Sequence, residues 1–165
     1  MEPELAGCGA VQIREYRPAD RQKLESMYAT FEPRGQAKGL PPVRDEKARR
    51  WLESLGEHAW SLIAFPGPGE SEIVGHAILA PAPCGGAPCG EAELALFVHQ
   101  DFRNRGIGQA LARAAVATAH RRGVRRVWLA VSPSNRAAVR VYEKCGFRFV
   151  PGRQSGDCDM ELRLE

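Results

Sequence analysis

Hydrophobic positions in the first third of the chain recur at helical spacing and predict two helices. The first runs from a cap at Asp20 to about Phe31, and its buried stripe also contains Leu24, Met27 and Tyr28. Between the helices, the stretch FEPRGQAKGLPP is dense in glycine and proline and predicts a loop. The second helix is capped by Asp45, ends at a C-cap glycine, Gly56, and has an apolar face of Ala48, Trp51, Leu52 and Leu55.

Short extended runs bounded by turn residues predict the strands. Two further helices lie in the second half, one alanine-rich from Gly106 to 121–123 and one over 135–144 capped by Ser134. The stripe of the alanine-rich helix is Ile107, Leu111, Ala114, Ala115, Thr118 and Ala119. The predicted strands are 12–16, 58–65, 72–80, 93–99, 126–131, 147–150 and 159–164.

The resulting order, β-α-α-β-β-β-α-β-α-β-β, alternates strand and helix only in its second half. It predicts a mixed α/β (α+β) sheet with some parallel pairing and helices on its faces, and it excludes a doubly wound order. At 165 residues the chain suits one domain, 11–165, preceded by an extension, 1–10, that we expect to be flexible. Trp51, Trp60 and Trp128 fall at core positions of these elements.

Composition narrows the functional classes. Hydrophobic residues make up 44% and charged residues 26%, which is typical of a globular protein, and the longest apolar runs are too short for a membrane span. A net charge of +3 does not by itself indicate nucleic-acid binding. The acidic N-terminus is not a secretory signal, so we expect a cytoplasmic protein with reduced thiols. Cys84 and Cys89 could form half a metal site, but no second ligand pair follows, and we expect no metal.

The most informative stretch is the turn that follows strand 93–99. A strand that enters a glycine-containing turn at a helix N-terminus forms an anion site, since the first amides lack partners and the helix dipole adds positive charge. A G-x-G turn alone is equally consistent with tight helix packing, and it matches neither the Walker nor the dinucleotide fingerprint. The turn reads Arg103, Asn104, Arg105, Gly106, Ile107, Gly108.

This turn, R-x-x-G-x-G, together with the later stretch WLAVSPSNRAAVRVYEKCGF, resembles the GNAT superfamily of acyl-CoA-dependent N-acetyltransferases. The resemblance covers about residues 91–151. It implies a mostly antiparallel sheet of about seven strands, splayed in the middle, with about four helices on its faces. It also implies acetyl-CoA as co-substrate and an amine as acceptor. From charge and apolar run length we expect no nucleic-acid or membrane partner. Homodimers occur in the superfamily, but the sequence carries no interface signature.

The resemblance also assigns coenzyme contacts. The backbone near Val98, with Phe97, would bind the pantetheine arm and the thioester, and Asn135 and Tyr142 would contact the coenzyme from the last helix. The diphosphate would lie on the turn and the first helical residues: Arg103, Asn104, Arg105, Gly106, Ile107, Gly108 and Gln109. Arg121, Arg122, Arg125 and Arg126 form a basic patch that is either a solvated helix end or a contact to the 3′-phosphate.

Two residues are candidates for catalysis. Tyr142 is the candidate general acid toward the leaving sulfur, although it could instead only pack beside the thioester. Glu93 is the candidate base because it is charged within an apolar strand. The open alternatives are Glu91 on the same strand face, bulk water as the base, and a purely structural Glu93.

The acceptor is not identified by these motifs. Arg34 and Lys38 in the loop between the first helices would suit an acceptor that carries a carboxylate, such as an amino acid, unless the loop is merely exposed. A protein-lysine acetyltransferase and a non-catalytic acyl-CoA-binding module are the alternatives. The presence of both Tyr142 and Glu93 favours an enzyme. His99 and His120 are interpreted as packing or surface residues.

Overall fold

The structure, a computed structural model, describes residues 11–36, 38–83, 90–151 and 158–165. These residues form seven strands and four α-helices in the predicted order. The predicted N-terminal extension, Cys84 and Cys89 lie outside the described residues. The strands are β1 (Gln12–Glu15), β2 (Trp60–Phe65), β3 (Gly75–Pro81), β4 (Glu91–Val98), β5 (Arg126–Val131), β6 (Arg148–Phe149) and β7 (Cys158–Arg163), and the helices are α1 (Arg21–Ala29), α2 (Asp45–His58), α3 (Ile107–Arg121) and α4 (Arg136–Lys144).

All seven strands belong to one sheet in the order β1-β2-β3-β4-β5-β7-β6. Every neighbouring pair is antiparallel except β4 and β5, which are parallel. This confirms the predicted fold class, a mixed and mostly antiparallel sheet of seven strands with four helices among the described residues.

The helices cover the sheet from both sides, and alternation along β4 assigns its side chains to these sides. On one side, the predicted stripe of α3 is buried in a core that also contains Ala92 and Leu94 of β4. On the other side, Phe97 of β4 packs with Tyr28 and Phe31 in the core formed by α1 and α2. We call these the α3 face and the α1/α2 face. Glu93, two residues from Ala95 and four from Phe97, therefore lies on the α1/α2 face.

The parallel strands β4 and β5 stay paired over only three positions. The pairs are Glu91 with Arg126, Ala92 with Val127, and Glu93 with Trp128. Beyond Glu93 the two strands diverge, which leaves a V-shaped gap between residues 94–98 and 129–131. The predicted splay is therefore present. The β3–β4 register is continuous from Gly75–Val98 to Pro81–Ala92, so β4 has no bulge against β3 over these described residues. Strand β4 therefore diverges from β5 while it stays regularly paired with β3.

Several predicted boundaries are corrected. Gly56 is not a C-cap, because it lacks the left-handed φ of that position and α2 continues to His58. The N-cap of α4 is Asn135 instead of Ser134, since Asn135 Oδ1 accepts the Ala138 amide at 3.2 Å while Ser134 Oγ bonds Ser132 Oγ. Strand β3 begins at Gly75 instead of residue 72, where the pairing with β2 ends.

A buried polar chain links α1 to β3 and β2 on the α1/α2 face. Tyr28 Oη lies 2.7 Å from His76 Nδ1, and His76 Nε2 lies 3.0 Å from Ser61 Oγ. His76 is fully buried, and this burial lowers its pKa from 6.5 to about 3. The histidine is therefore neutral in the folded protein, where one ring nitrogen donates a hydrogen bond and the other accepts one.

This burial predicts a pH dependence of stability. Below pH 6.5 the unfolded chain binds a proton at His76 that the folded chain does not bind until about pH 3, so acid favours unfolding. The free energy of unfolding should fall as the pH drops from 6.5 to 4.5, by up to about 1.4 kcal/mol per pH unit from this group. Urea titrations should show a flatter profile for His76→Gln. Parallel profiles for the two proteins would contradict the assignment.

No α-helix among the described residues is long and apolar enough to cross a lipid bilayer.

Candidate active site

The turn before α3 presents unpaired main-chain amides. Asn104 and Gly106 both have left-handed φ, 62° and 80°, which turns the chain sharply before the helix begins at Ile107. No side chain among the described residues caps this helix, and the Ala110 amide, which bonds Gly106 O at 3.0 Å, is the first with a helical acceptor. The amides of Ile107, Gly108 and Gln109 precede that bond, so they are the first-turn donors that an anion can accept.

The turn opens onto the V-shaped gap. A Cβ at Gly106 would meet no atom within 4 Å, so space adjoins the backbone there. A Cβ at Gly108 would lie 3.7 Å from Val98, 3.8 Å from Leu96 and 3.9 Å from Val141. Gly108 thus lies where β4, α3 and α4 meet. Free amides, open space and the positive end of a 15-residue helix fit a diphosphate.

The two arginines of the turn differ in their contacts. Arg103 Nε donates to Val98 O at 3.0 Å and its Nη2 donates to Glu32 O at 2.8 Å, and its guanidinium lies over the Phe31 ring. Burial lowers the pKa of Arg103. Arg105 is exposed and lies over the Phe102 ring. Arg103 therefore ties β4 to the loop after α1, and Arg105 is the side chain better placed to meet an anion.

Strand pairing decides which backbone groups of β4 face the gap. His99 N donates to Val74 O and Ala82 N donates to Glu91 O, so odd-numbered residues of β4 exchange hydrogen bonds with β3. The main chain of Leu96 and Val98 then faces the gap, and that of Phe97 faces β3. The Phe97 side chain is buried among aromatic rings of the α1/α2 face. Leu96, which the sequence analysis missed, thus replaces Phe97 as the backbone candidate.

Tyr142 of α4 follows Val141, the α4 residue that lies near Gly108, and it belongs to the core on the α3 face. Only 6% of the residue is exposed, and its ring packs against Phe147 with 5.7 Å between centroids. Burial raises the pKa of the Tyr142 phenol, so the hydroxyl keeps its proton. No group of the described residues forms a hydrogen bond with Tyr142 Oη, which leaves the proton available to a ligand.

Glu93 stands at the closed end of the gap, at the last β4–β5 pair. Its side chain is about one-third exposed, and Oε1 accepts a hydrogen bond from Lys38 Nζ at 3.2 Å. The same ammonium lies 5.1 Å from the centre of the Trp128 ring. The sequence suggested Glu93 as a base and Lys38 as a contact for the acceptor. Nothing in the sequence pattern indicated that the two side chains form a hydrogen bond.

Glu91, the alternative base, is bound to another partner. Its carboxylate lies 3.2 Å from Arg126 Nη1, and Arg126 Nε bonds Glu161 at 2.5 Å. Glu93 is also paired with a cation, at 3.2 Å, but its partner is a half-exposed lysine ammonium that can lose its proton, whereas the guanidinium of Arg126 always stays charged. This favours Glu93 over Glu91.

The structure bears on two further points for which the sequence analysis gave alternatives. Arg34 donates to Ala29 O and Val43 O and forms an ion pair with Asp45 at 2.7 Å, so it holds the loop instead of facing an acceptor. The arginines of the basic patch lie at the far end of α3, which at 15 residues is about 22 Å long. That distance separates them from the turn before α3, residues 103–106, where the sequence analysis placed the diphosphate.

Among the residues that the structure describes, no group of three or more His, Cys, Asp or Glu side chains could hold a metal ion. His99 is buried and bonds Thr30 Oγ1 at 2.8 Å, and His120 is exposed.

The fold and the turn define a class: an α/β protein with an uncapped helix N-terminus beside a splayed parallel strand pair. The family model described as Acetyltransferase (GNAT) family matches residues 21–147. The chain therefore belongs to the GNAT acetyltransferase family.

Curated relatives match a shorter stretch. An uncharacterised N-acetyltransferase of Methanocaldococcus jannaschii is 46% identical over 52 residues, which cover 32% of this chain and 23% of the relative. The ribosomal protein bS18 alanine N-acetyltransferase of Escherichia coli K12 is 40% identical over 52 residues, 32% of this chain and 35% of the relative. These matches span about a third or less of the relatives' length.

Solved structures share the fold over nearly the whole chain. The GNAT domain of S. lividans PAT has a TM-score of 0.76 at 22% identity, covering 93% of this chain and 90% of that one. A putative acetyltransferase from Salmonella typhimurium, solved with acetyl-CoA, has a TM-score of 0.72 at 20% identity and covers 95% of each chain.

Proposed function

We propose that the protein transfers the acetyl group of acetyl-CoA to an amine by direct attack in a ternary complex. The observation that carries the proposal is the set of first-turn amides at Ile107, Gly108 and Gln109, beside a gap whose closed end carries Glu93. Membership of the GNAT family supports the same reaction. The acetyl-CoA found in the S. typhimurium neighbour supports the choice of co-substrate.

In this proposal the diphosphate lies on the α3 turn and the main chain of Leu96 and Val98 positions the pantetheine arm. Acetyl-CoA supplies the thioester, and the protein holds it against the amine, which is chiefly a positioning effect. Glu93 takes the proton of the ammonium, because an amine with a pKa near 10.4 is mostly protonated at neutral pH. Tyr142 donates a proton to the departing sulfur.

The acceptor class is best found with a panel of amines. Thiol release from acetyl-CoA should be measured with amino acids, polyamines, aminoglycosides, lysine peptides and a peptide that begins with alanine. The last is included because of the partial bS18-alanine relative. Amine-dependent release with one class identifies the acceptor. Tight coenzyme binding without release for any amine would overturn the proposal and favour the non-catalytic acyl-CoA-binding module.

The contacts of Arg103 and Arg105 predict opposite phenotypes. Arg103→Ala should lower the free energy of unfolding by about 1–2 kcal/mol, because the carbonyls of Val98 and Glu32 lose their donor. Arg105→Ala should change stability by less than about 0.5 kcal/mol but raise the Kd for acetyl-CoA about three- to tenfold. Urea unfolding and calorimetry measure the two effects. The reverse pattern would assign the phosphate contact to Arg103.

A further inference from the structure

The side chain of Lys38 already places a primary amine at the closed end of the V-shaped gap. Its Nζ lies 3.2 Å from Glu93 Oε1 and 5.1 Å from the centre of the Trp128 ring. Glu93 and Trp128 face each other as the last pair of β4 and β5. A carboxylate and an aromatic face together form a site for an ammonium group. Lys38 therefore makes the contacts that an acceptor amine would need at this point.

Lys38 lies at a sharp turn of the loop between α1 and α2. Lys38 has φ of 53°, a left-handed conformation that side-chain-bearing residues rarely adopt, and Gly39 follows with φ of 79°. On the other side of the loop, Arg34 bonds Ala29 O and Val43 O, which ties the loop to the end of α1 and the start of α2. About half of the Lys38 side chain remains exposed, so its amine is accessible to a ligand.

We propose that Lys38 is a self-acetylation site, modified within the same molecule when acetyl-CoA is bound. The inference rests on the proposed function, because it uses the same thioester, base and acid. The candidate base is the group that Lys38 contacts, so the amine whose proton Glu93 can take most directly is this one.

The step balances as follows. Glu93 accepts a proton from the Lys38 ammonium, and the neutral Nζ attacks the thioester carbonyl carbon. The N–C bond forms, the C–S bond breaks, and the sulfur leaves as a thiol with the proton of Tyr142. Of the two protons that Nζ loses, one restores Tyr142 and the other reaches solvent from Glu93. Ammonium and thioester thus give N-acetyl-lysine, free coenzyme A and one proton.

The chain offers internal controls, since it has only four lysines. Lys47 and Lys144 belong to α2 and α4, and Lys23 bonds the Glu70 carbonyl. None of these three contacts Glu93 in the part of the chain that the structure describes. Their acetylation measures the uncatalysed background in the same sample.

The full chain should be incubated with acetyl-CoA and no acceptor, then analysed by intact mass and peptide mapping. We expect one acetyl group per molecule, on Lys38, formed at least tenfold faster than on any other lysine. The Lys38→Arg variant should not acquire this acetyl group, and the Lys47→Arg variant should acquire it as the wild type does. The rate constant per molecule should not change with protein concentration, and an acceptor from the amine panel should slow the modification.

Equal acetylation of all four lysines, or a rate constant proportional to protein concentration, would overturn the inference. If the protein acetylates a panel amine while Lys38 stays unmodified, the self-acetylation inference is wrong and the proposed function stands. If neither Lys38 nor any panel amine is acetylated although acetyl-CoA binds, the proposed function fails and the inference fails with it.

Discussion

Replacing Tyr142 by phenylalanine is expected to lower kcat about a hundredfold and to leave the Kd for acetyl-CoA within about twofold, since a positioned general acid contributes roughly 10²–10⁴ in rate. The ring would keep its packing against Phe147. Within the described part of the chain Oη has no hydrogen-bond partner, so its removal leaves no buried group unsatisfied. The thermal midpoint should therefore stay nearly unchanged. Stopped-assay kinetics, calorimetry and thermal unfolding measure the three quantities.

A matched control is Tyr28→Phe. Tyr28 is also a buried tyrosine, but its Oη bonds His76 Nδ1 at 2.7 Å. Its loss should cost about 1–2 kcal/mol of stability and leave kcat of the folded enzyme unchanged. An undiminished kcat in Tyr142→Phe would show that Tyr142 only packs beside the thioester.

The raised pKa of Tyr142 adds a pH signature. Since burial favours the neutral phenol, the group stays protonated above the usual range of a tyrosine. The wild-type rate should therefore show no loss near pH 10 from this group. A fall in kcat with a pKa near 10 that disappears in Tyr142→Phe would contradict the assignment.

Local patterns predicted the helices and strands and their order, because each element carries its own periodicity. Every residue of the predicted α3 stripe, from Ile107 to Ala119, is buried. The splay of β4 from β5 followed only from the family resemblance, because no pattern within either strand encodes where their pairing stops. The error at Gly56 has a local cause: a glycine near a helix end resembles a C-cap in sequence, and only its φ distinguishes the two.

The site was predicted less completely, for a physical reason. The turn that we predict to bind the diphosphate lies within six consecutive residues, 103–108, so a sequence motif can point to it. The contacts of Lys38 with Glu93 and of Arg103 with Glu32 join residues 55 and 71 positions apart, and they depend on how the α1–α2 loop lies on the sheet. The glycine after Lys38 could have indicated a left-handed turn in the loop. It could not have indicated that the Lys38 ammonium reaches Glu93.

Gly108 is the position where a substitution should abolish coenzyme binding most directly. Gly108→Leu is expected to raise the Kd for acetyl-CoA at least about a hundredfold, which corresponds to about 2.7 kcal/mol. The new side chain would extend from the second residue of α3 toward Val98, Leu96 and Val141, where it would fill the space beside the free amides. Leucine favours helices over glycine, so the helix itself should not be weakened.

Gly108→Ala is the matched variant for this test. Its Cβ would meet neighbours at 3.7–3.9 Å, which is ordinary van der Waals contact, and alanine stabilises a helix by roughly 0.5–1 kcal/mol relative to glycine. We expect stability equal to or above wild type and a Kd within about threefold. Calorimetric titration of all three proteins with acetyl-CoA gives the comparison. Because the alanine variant retains every main-chain amide, normal binding by the leucine variant as well would place the diphosphate away from the α3 turn.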